Sequence, residues 1–352
     1  MTANLPPDIE LLTAVARGVI ALADAPLSAV FRLPYPAVLQ LALDRVVLDG
    51  LDRRVPVPRG VPNLLAWCRQ RGPEEWLPLP RGFLDPGSRL IHPTAGEPTR
   101  TCAELASLGP DGLLEQEAES LLGKLADSCG SAARFMQCRD FLIRRPVLLR
   151  FDPVEMLQPA LAHTWRLVRD LYKPVPRHFP ADGLVHGCTG CGLLAKAGTA
   201  NDPWCEGGCP PEERTLDTSH QPGQVLALPR ALRLFTALPG RTELGVRSRL
   251  GTRSGPFSPD LGVHQIPGPG RTLRAYQVHD REQAAPAALR AAEVAGRFGG
   301  LLEIVVPDRR TADRTYRQVF ERSLPVGAAV RLWSATEFTA HERTHGTRRG
   351  HA

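Results

Sequence analysis

The chain has 352 residues and a formal charge of +6, with 43% hydrophobic and 23% charged side chains. Its length allows two or three domains with cores of their own, and plentiful apolar residues with ordinary charge exclude global disorder. No apolar run approaches the ~20 residues that span a bilayer, and the acidic, proline-bearing start MTANLPPDIE does not read as a signal peptide, so a cytoplasmic protein without membrane contact is expected.

The basic residues are almost all arginine. Only Lys124, Lys173 and Lys196 depart from this, and no lysine follows Lys196. With many prolines, glycines and alanines, this is the signature of a GC-rich bacterial coding bias. Its chemical consequence is that no mechanism in the C-terminal part has a lysine available. The modest basic excess permits nucleic-acid contact without requiring it.

Residues 1–180 read as a mainly helical region. Asp8 is placed to cap a helix striped by Leu11, Leu12, Val15, Val19 and Leu22. A second helix is predicted from Pro36 through Leu39, Leu43, Val46 and Val47. Residues 51–100 are broken by PVPRGVP, PLPRG, LDPGS and HPTAGEP around short elements such as NLLAWCRQ. Helical periodicity returns at 113–127 and at 155–172, where Leu157, Leu161, Thr164, Val168 and Leu171 are expected on one face.

Residues 181–222 hold a cysteine cluster and a linker. Cys188 and Cys191 form a CxxC, and after 13 residues Cys205 and Cys209 form a CxxxC. Two glycine-bearing knuckles, each closing half a tetrahedral shell, are the pattern of a closed structural Zn²⁺ site with no open position for a reactive water. Two disulfides or free thiols are the alternative, and His186 is a neighbour that could substitute as a ligand. Cys68, Cys102, Cys129 and Cys138 are scattered in apolar or helical context and read as small core residues.

Residues 223–345 change pattern. Helices are predicted at 228–238, ended by Pro239-Gly240, and at 241–251. Extended segments follow in FSPDLGVHQI and RTLRAYQVHD around a PGPG turn. An alanine-rich helix at 284–297, the buried strand LLEIVVPD, a helix at 311–322 and a strand AAVRLW complete it. The fold class is therefore multidomain, α plus α/β, with helices covering a small mixed sheet. Residues 346–352 are a basic tail.

The C-terminal order resembles the αβββαβ core of the restriction-endonuclease-like PD-(D/E)xK superfamily. More closely, LRLFTALPGRTELGVRSRL, FSPDLGVHQI, RAYQVHDRE and LLEIVVPD are similar to the restriction-endonuclease-like proteins of bacterial pPIWI-RE modules. The resemblance covers roughly 180–340. It implies a role in defence against invading DNA, contact with DNA or a DNA–RNA hybrid, and partners in a PIWI/Argonaute-like protein and a DinG-type helicase.

An active core of that kind holds Mg²⁺ through carboxylates on neighbouring strands, and a lysine two residues past the second acid orients the attacking water. The resemblance places Gln277-Val278-His279 at the acid-x-lysine strand, Asp260 or Gln265 at the first acidic position, and Glu243 as an accessory acid. As plain structure, these same residues read as a turn aspartate, a strand's polar face and a solvated helix charge. Asp280 is a further acid reachable only by a register shift. A nucleic-acid-associated component with an eroded nuclease site is the leading expectation. The alternatives are a live Mg²⁺-dependent endonuclease and a zinc-stabilised protein adaptor. Arg247, Arg249 and Arg253 are the expected nucleic-acid contacts.

Overall fold

The structure is a computed structural model that describes residues 5–25, 34–109, 112–176, 179–180, 183–198, 203–251, 255–267, 273–312 and 314–347. Its contacts divide the chain into two compact units. One comprises Met1–Gln116, Pro146–Pro153 and Leu171–Pro229; the other comprises Glu117–Arg145, Val154–Asp170 and Arg230–Ala352.

The first unit contains helices α1 (Pro7–Asp24), α2 (Ala37–Asp52), α3 (Val61–Gln70) and α4 (Arg100–Ala106). Leu11, Leu12, Val15 and Val19 are buried on α1, as their spacing predicts. Asp8 is not the cap. Pro6 occupies the cap position and Asp8 sits in the first turn, where its charge suits the positive end of the helix dipole. Thr99 caps α4 by accepting the Cys102 N–H at 3.1 Å. Two small sheets complete the unit. β1 (Val147–Leu148), β2 (Lys173–Pro174) and β7 (Leu226–Ala227) form one, in the order β1-β7-β2. β3 (Val185–Cys188), β4 (Leu194–Lys196), β5 (Trp204–Cys205) and β6 (Leu216–His220) form the other, in the order β5-β4-β3-β6.

The second unit contains α5 (Leu113–Cys129, from Glu117 on), α6 (Ala132–Arg144), α7 (Pro159–Val168) and α8 (Leu238–Leu250). The single helix expected over 155–172 is interrupted. Pro159 restarts it as α7, and Leu157 is 70% exposed rather than on the packed face. The helix predicted to stop at Pro239 instead runs on. Arg233–Ala237 is a π-helical turn, in which the Leu238 N–H reaches back to the Arg233 carbonyl, and α8 continues directly from it. The wide turn changes the bonding just before the proline, so the missing proline N–H does not break the rod. Gly240 then permits close helix contact, since a Cβ there would lie 2.5 Å from Ile143 of α6.

Past α8, β8 (Phe257–Ser258), β9 (Val263–Pro267) and β10 (Leu273–Val278) form an antiparallel meander. The alanine-rich α9 (Ala284–Phe298) crosses to β11 (Leu301–Val306), parallel to β10. Two further helices, α10 (Asp308–Ala312) and α11 (Arg314–Ser323), lead to β12 (Val330–Ser334), parallel to β11, and then to α12 (Ala335–Thr347). The sheet order is β12-β11-β10-β9-β8.

Strand alternation sends two sets of side chains to opposite faces. Ala275, Leu302, Ile304 and Leu332 share a core with Ala287, Ala288 and Ala291 of α9 and Phe320 of α11. The small α9 side chains let that helix lie close to the sheet. On the other face, Ile266, Tyr276 and Val305 meet Val246 and Leu250 of α8 and Phe338 of α12. Burying each such large apolar side chain contributes about 1.5–3 kcal/mol, enough to fix which face every polar residue of β10 occupies.

Candidate functional site

Cys188 ends β3, Cys191 follows in the turn to β4, Cys205 ends β5, and Cys209 closes the next turn. All four are buried, and their sulfurs lie within 4.8 Å of one another, with Cys191 Sγ and Cys205 Sγ 3.4 Å apart. A tetrahedral zinc with Zn–S near 2.3 Å needs sulfurs about 3.8 Å apart, a spacing these values bracket. Both knuckle turns use a left-handed glycine: Gly192 (φ +72°) donates to the Cys188 carbonyl, and Gly208 (φ +62°) donates to the Cys205 carbonyl. The thiols crowd one another. Donation from Cys191, then from Cys205 and Cys209, holds Cys188 below the ordinary thiol range, and the reciprocal bond raises Cys191. A cation bound to four thiolates would remove that conflict. The donor set, spacing and burial fit a metal such as zinc. His186 lies on β3 opposite Ala195 and is not part of the four-sulfur group.

The cluster is tied to the α4 region of the same unit. Lys196 Nζ meets Glu97 at 2.5 Å, Trp204 Nε1 donates to the Pro98 carbonyl at 3.0 Å, and the buried Arg100 donates to the Gly207 carbonyl at 2.9 Å. Gly207 lies within the second knuckle. Phe179, Val185, Leu194, Trp204 and Val225 supply an apolar core beneath it.

In the second unit, Glu243 of α8 is neither solvated nor an open metal ligand. It is buried, and Arg139 of α6 clamps both carboxylate oxygens at 2.5 and 2.6 Å. His264 Nε2 of β9 lies 2.8 Å from Oε1. Burial alone would raise this carboxyl. The Arg139 charge and the bonds from His264 and Arg139 outweigh it and hold Glu243 well below the usual carboxylate range. The His264 ring stacks on Tyr276 at 4.8 Å and tilts against Phe257 at 4.9 Å, while Phe257 packs on Phe135 and Tyr276 on Phe338. This aromatic ladder runs from α6 through β8, β9 and β10 to α12.

The other candidate residues lie elsewhere. Gln277 and His279 bond to each other, His279 Nε2 to Gln277 Oε1 at 2.8 Å, and Gln277 donates to the Leu261 carbonyl at 3.3 Å. Asp260, next to Leu261, is exposed in the β8–β9 turn, where its backbone carbonyl accepts from Arg297. Gln277 faces the α9 side of the sheet. Glu243 meets the sheet from the α8 side. Gln265 is exposed on β9 opposite Ala275. Asp280 is buried between Arg309 at 2.7 Å and Arg310 at 3.3 Å. Among the described residues, the four cysteines form the only His/Cys/Asp/Glu group with metal-binding spacing.

Of the expected nucleic-acid contacts, Arg247 pairs with Asp140 of α6 at 2.5 Å, Arg249 is exposed, and Arg253 lies outside the described residues. Sequence alone does not single out Arg139, Asp140 or His264. A serine cap at Ser131 and the Phe135, Cys138, Leu142 stripe mark α6 as a helix, but no sequence signal pairs its charges with α8.

Residues 11–149 match the family model described as pPIWI_RE three-gene island domain Y. No curated protein and no solved structure matches the chain. The match supports an association with pPIWI-RE modules. It lies ahead of residues 180–340, which carry the resemblance described above, and it ends before the cysteine cluster. No helix among the described residues is long and apolar enough to cross a membrane.

Proposed function

We propose that this protein is a nucleic-acid-associated component of a pPIWI-RE defence module, acting beside a PIWI-like protein and a helicase against invading DNA. Its second unit is read as a nuclease-like scaffold without a working metal site. The order helix, three-stranded meander, crossover helix, parallel strand is the order expected of a restriction-endonuclease-like core. The observation that carries the reading is the Gln277–His279 bond at the end of β10. Where an active core would hold an anionic oxygen and an ammonium, this strand offers a neutral amide closed upon an imidazole. A neutral amide offsets little of the dehydration of Mg²⁺. The zinc knuckle serves the first unit as a structural clamp.

Purified protein incubated with linear DNA and Mg²⁺ or Mn²⁺ tests this. Retention of DNA without cleavage supports it, whereas robust cleavage abolished by Asp260→Ala or His279→Ala overturns it in favour of a live endonuclease.

A zinc-stabilised adaptor is the second reading, favoured by one observation. Leu41, Leu48 and Leu51 of α2 are 53%, 63% and 59% exposed and lie along one side of the helix. Loss of all DNA binding together with retained capture of the module's PIWI-like protein would establish it.

A further inference from the structure

The second unit holds a cleft of about 470 Å³ between α6 and α8, floored by β8 and β9. Ala132, Met136, Asp140 and Arg144 recur every fourth residue along α6 and line one wall, with Leu244, Arg247 and Ser248 of α8 on the other. The floor includes Phe257 and His264. His264 is 2% exposed. Its Nε2 is committed to Glu243, and its Nδ1 has no hydrogen-bond partner among the described residues. A buried polar atom without a partner costs about 1–3 kcal/mol, so a ligand or water that meets it would be favoured.

The charges decide which ligand. Both carboxylates beside the cleft are already spent, Asp140 on Arg247 and Glu243 on Arg139. Each of these carboxylates already faces an arginine, which weakens it as a ligand for a cation. Arg144, exposed at the wall, has no such partner among the described residues. The Glu243 carboxylate can only accept, so His264 Nε2 donates to it and Nδ1 is left as an acceptor for a hydroxyl or an N–H. What remains favours an anionic group at Arg144 and a donor at His264. The space is far larger than one phosphate and falls within the range of about 300–1,000 Å³ typical of small-ligand sites. Met136, Leu244 and Phe257 give the remainder an apolar lining.

We infer that this cleft takes one phosphate-bearing nucleotide unit, with its phosphate at Arg144 and its sugar or base against His264 and the apolar wall. The nucleotide identity rests on the nucleic-acid reading above; the anion preference rests on the cleft alone. The unit could arrive as a free mononucleotide or as the phosphorylated end of a strand.

Calorimetric titration of the full chain separates these. The probes are deoxyadenosine monophosphate, deoxyadenosine, inorganic phosphate, and a short single strand with and without a terminal phosphate. The monophosphate or the phosphorylated strand should bind about tenfold or more tightly than the unphosphorylated counterpart, and Arg144→Glu should remove that difference. Binding of only the phosphorylated strand assigns a strand end; binding of the monophosphate too assigns a nucleotide pocket. Ser248→Trp, an exposed cleft-filling change, should block both. The imidazole nitrogen NMR signals of His264 should shift on binding, which reads the contact without relying on a variant that disturbs the core. Equal binding by the Arg144→Glu protein, binding of inorganic phosphate as tight as that of the nucleotide, or no binding of either phosphorylated probe would overturn the inference. Long DNA retained with an unperturbed His264 would overturn this site while leaving the nucleic-acid reading intact. Mononucleotide bound without any DNA binding would do the reverse.

Discussion

The imidazole of His279, one residue past the end of β10, and the amide of Gln277 on that strand hydrogen-bond to each other at 2.8 Å. An acid and a lysine at the same positions would present a carboxylate and an ammonium side by side. Here the two side chains bond to each other instead, and Gln277 also anchors the Leu261 carbonyl of the preceding turn. The residues work as a strut between β10 and that turn.

The protein should therefore show no Mg²⁺- or Mn²⁺-dependent cleavage at mildly alkaline pH. Asp260→Ala should leave this baseline unchanged, because its exposed side chain holds nothing in place. A gel assay on plasmid and linear DNA reads both outcomes, and cleavage lost on either Asp260→Ala or His279→Ala would reverse the assignment.

Reduced protein purified without chelator should carry about one zinc per chain, as expected of a four-thiolate site. Elemental analysis giving less than about half an equivalent would refute this. Cys191→Ser should do more than loosen 183–212. Because Glu97, Pro98 and Arg100 bind the knuckle sheet directly, hydrogen exchange should rise across 97–106 as well. Protection lost in 183–212 alone would show that the two are not coupled.

Glu243→Gln should cost about 3–5 kcal/mol at neutral pH, since it leaves the buried Arg139 without its counter-charge. The sign of the pH dependence follows from the lowered carboxyl. Its stabilisation is fully present above the unfolded-state value of about 4.3 and is lost as pH falls through the lower folded-state value. The wild-type protein should thus lose stability below about pH 4, while the Gln variant lacks that component. Urea titrations across acid pH, with equal slopes for both proteins, would contradict it.

Trp204→Phe should cost about 1 kcal/mol, the net worth of its indole bond to the Pro98 carbonyl, while keeping the packing against Phe179. A thermal melt that does not move would mean that this bond adds nothing to the clamp.

Much of this architecture is visible in the residues. The α1 stripe, the alanine face of α9, the β-rich LLEIVV run and the CxxC/CxxxC pair are each local patterns, and each lies where its periodicity or spacing points. What sequence does not carry is pairing at a distance. Glu243 looks like an ordinary helix charge until Arg139, over a hundred positions earlier, closes on it. Pro239 looks like a stop because a one-residue widening of the preceding turn leaves no compositional mark. Asp8 precedes a stripe as a cap would, yet Pro6 and Pro7 start the helix two residues sooner through their fixed φ.

The most direct test of the account is the salt dependence of DNA binding, measured by fluorescence anisotropy on the full chain without divalent metal. Contacts between arginines and phosphates release counterions, so log affinity should fall linearly with log salt, and replacing Arg249 together with Arg247 and Arg253 should flatten that slope. Absence of binding even at low salt would contradict the account and leave the adaptor reading in its place.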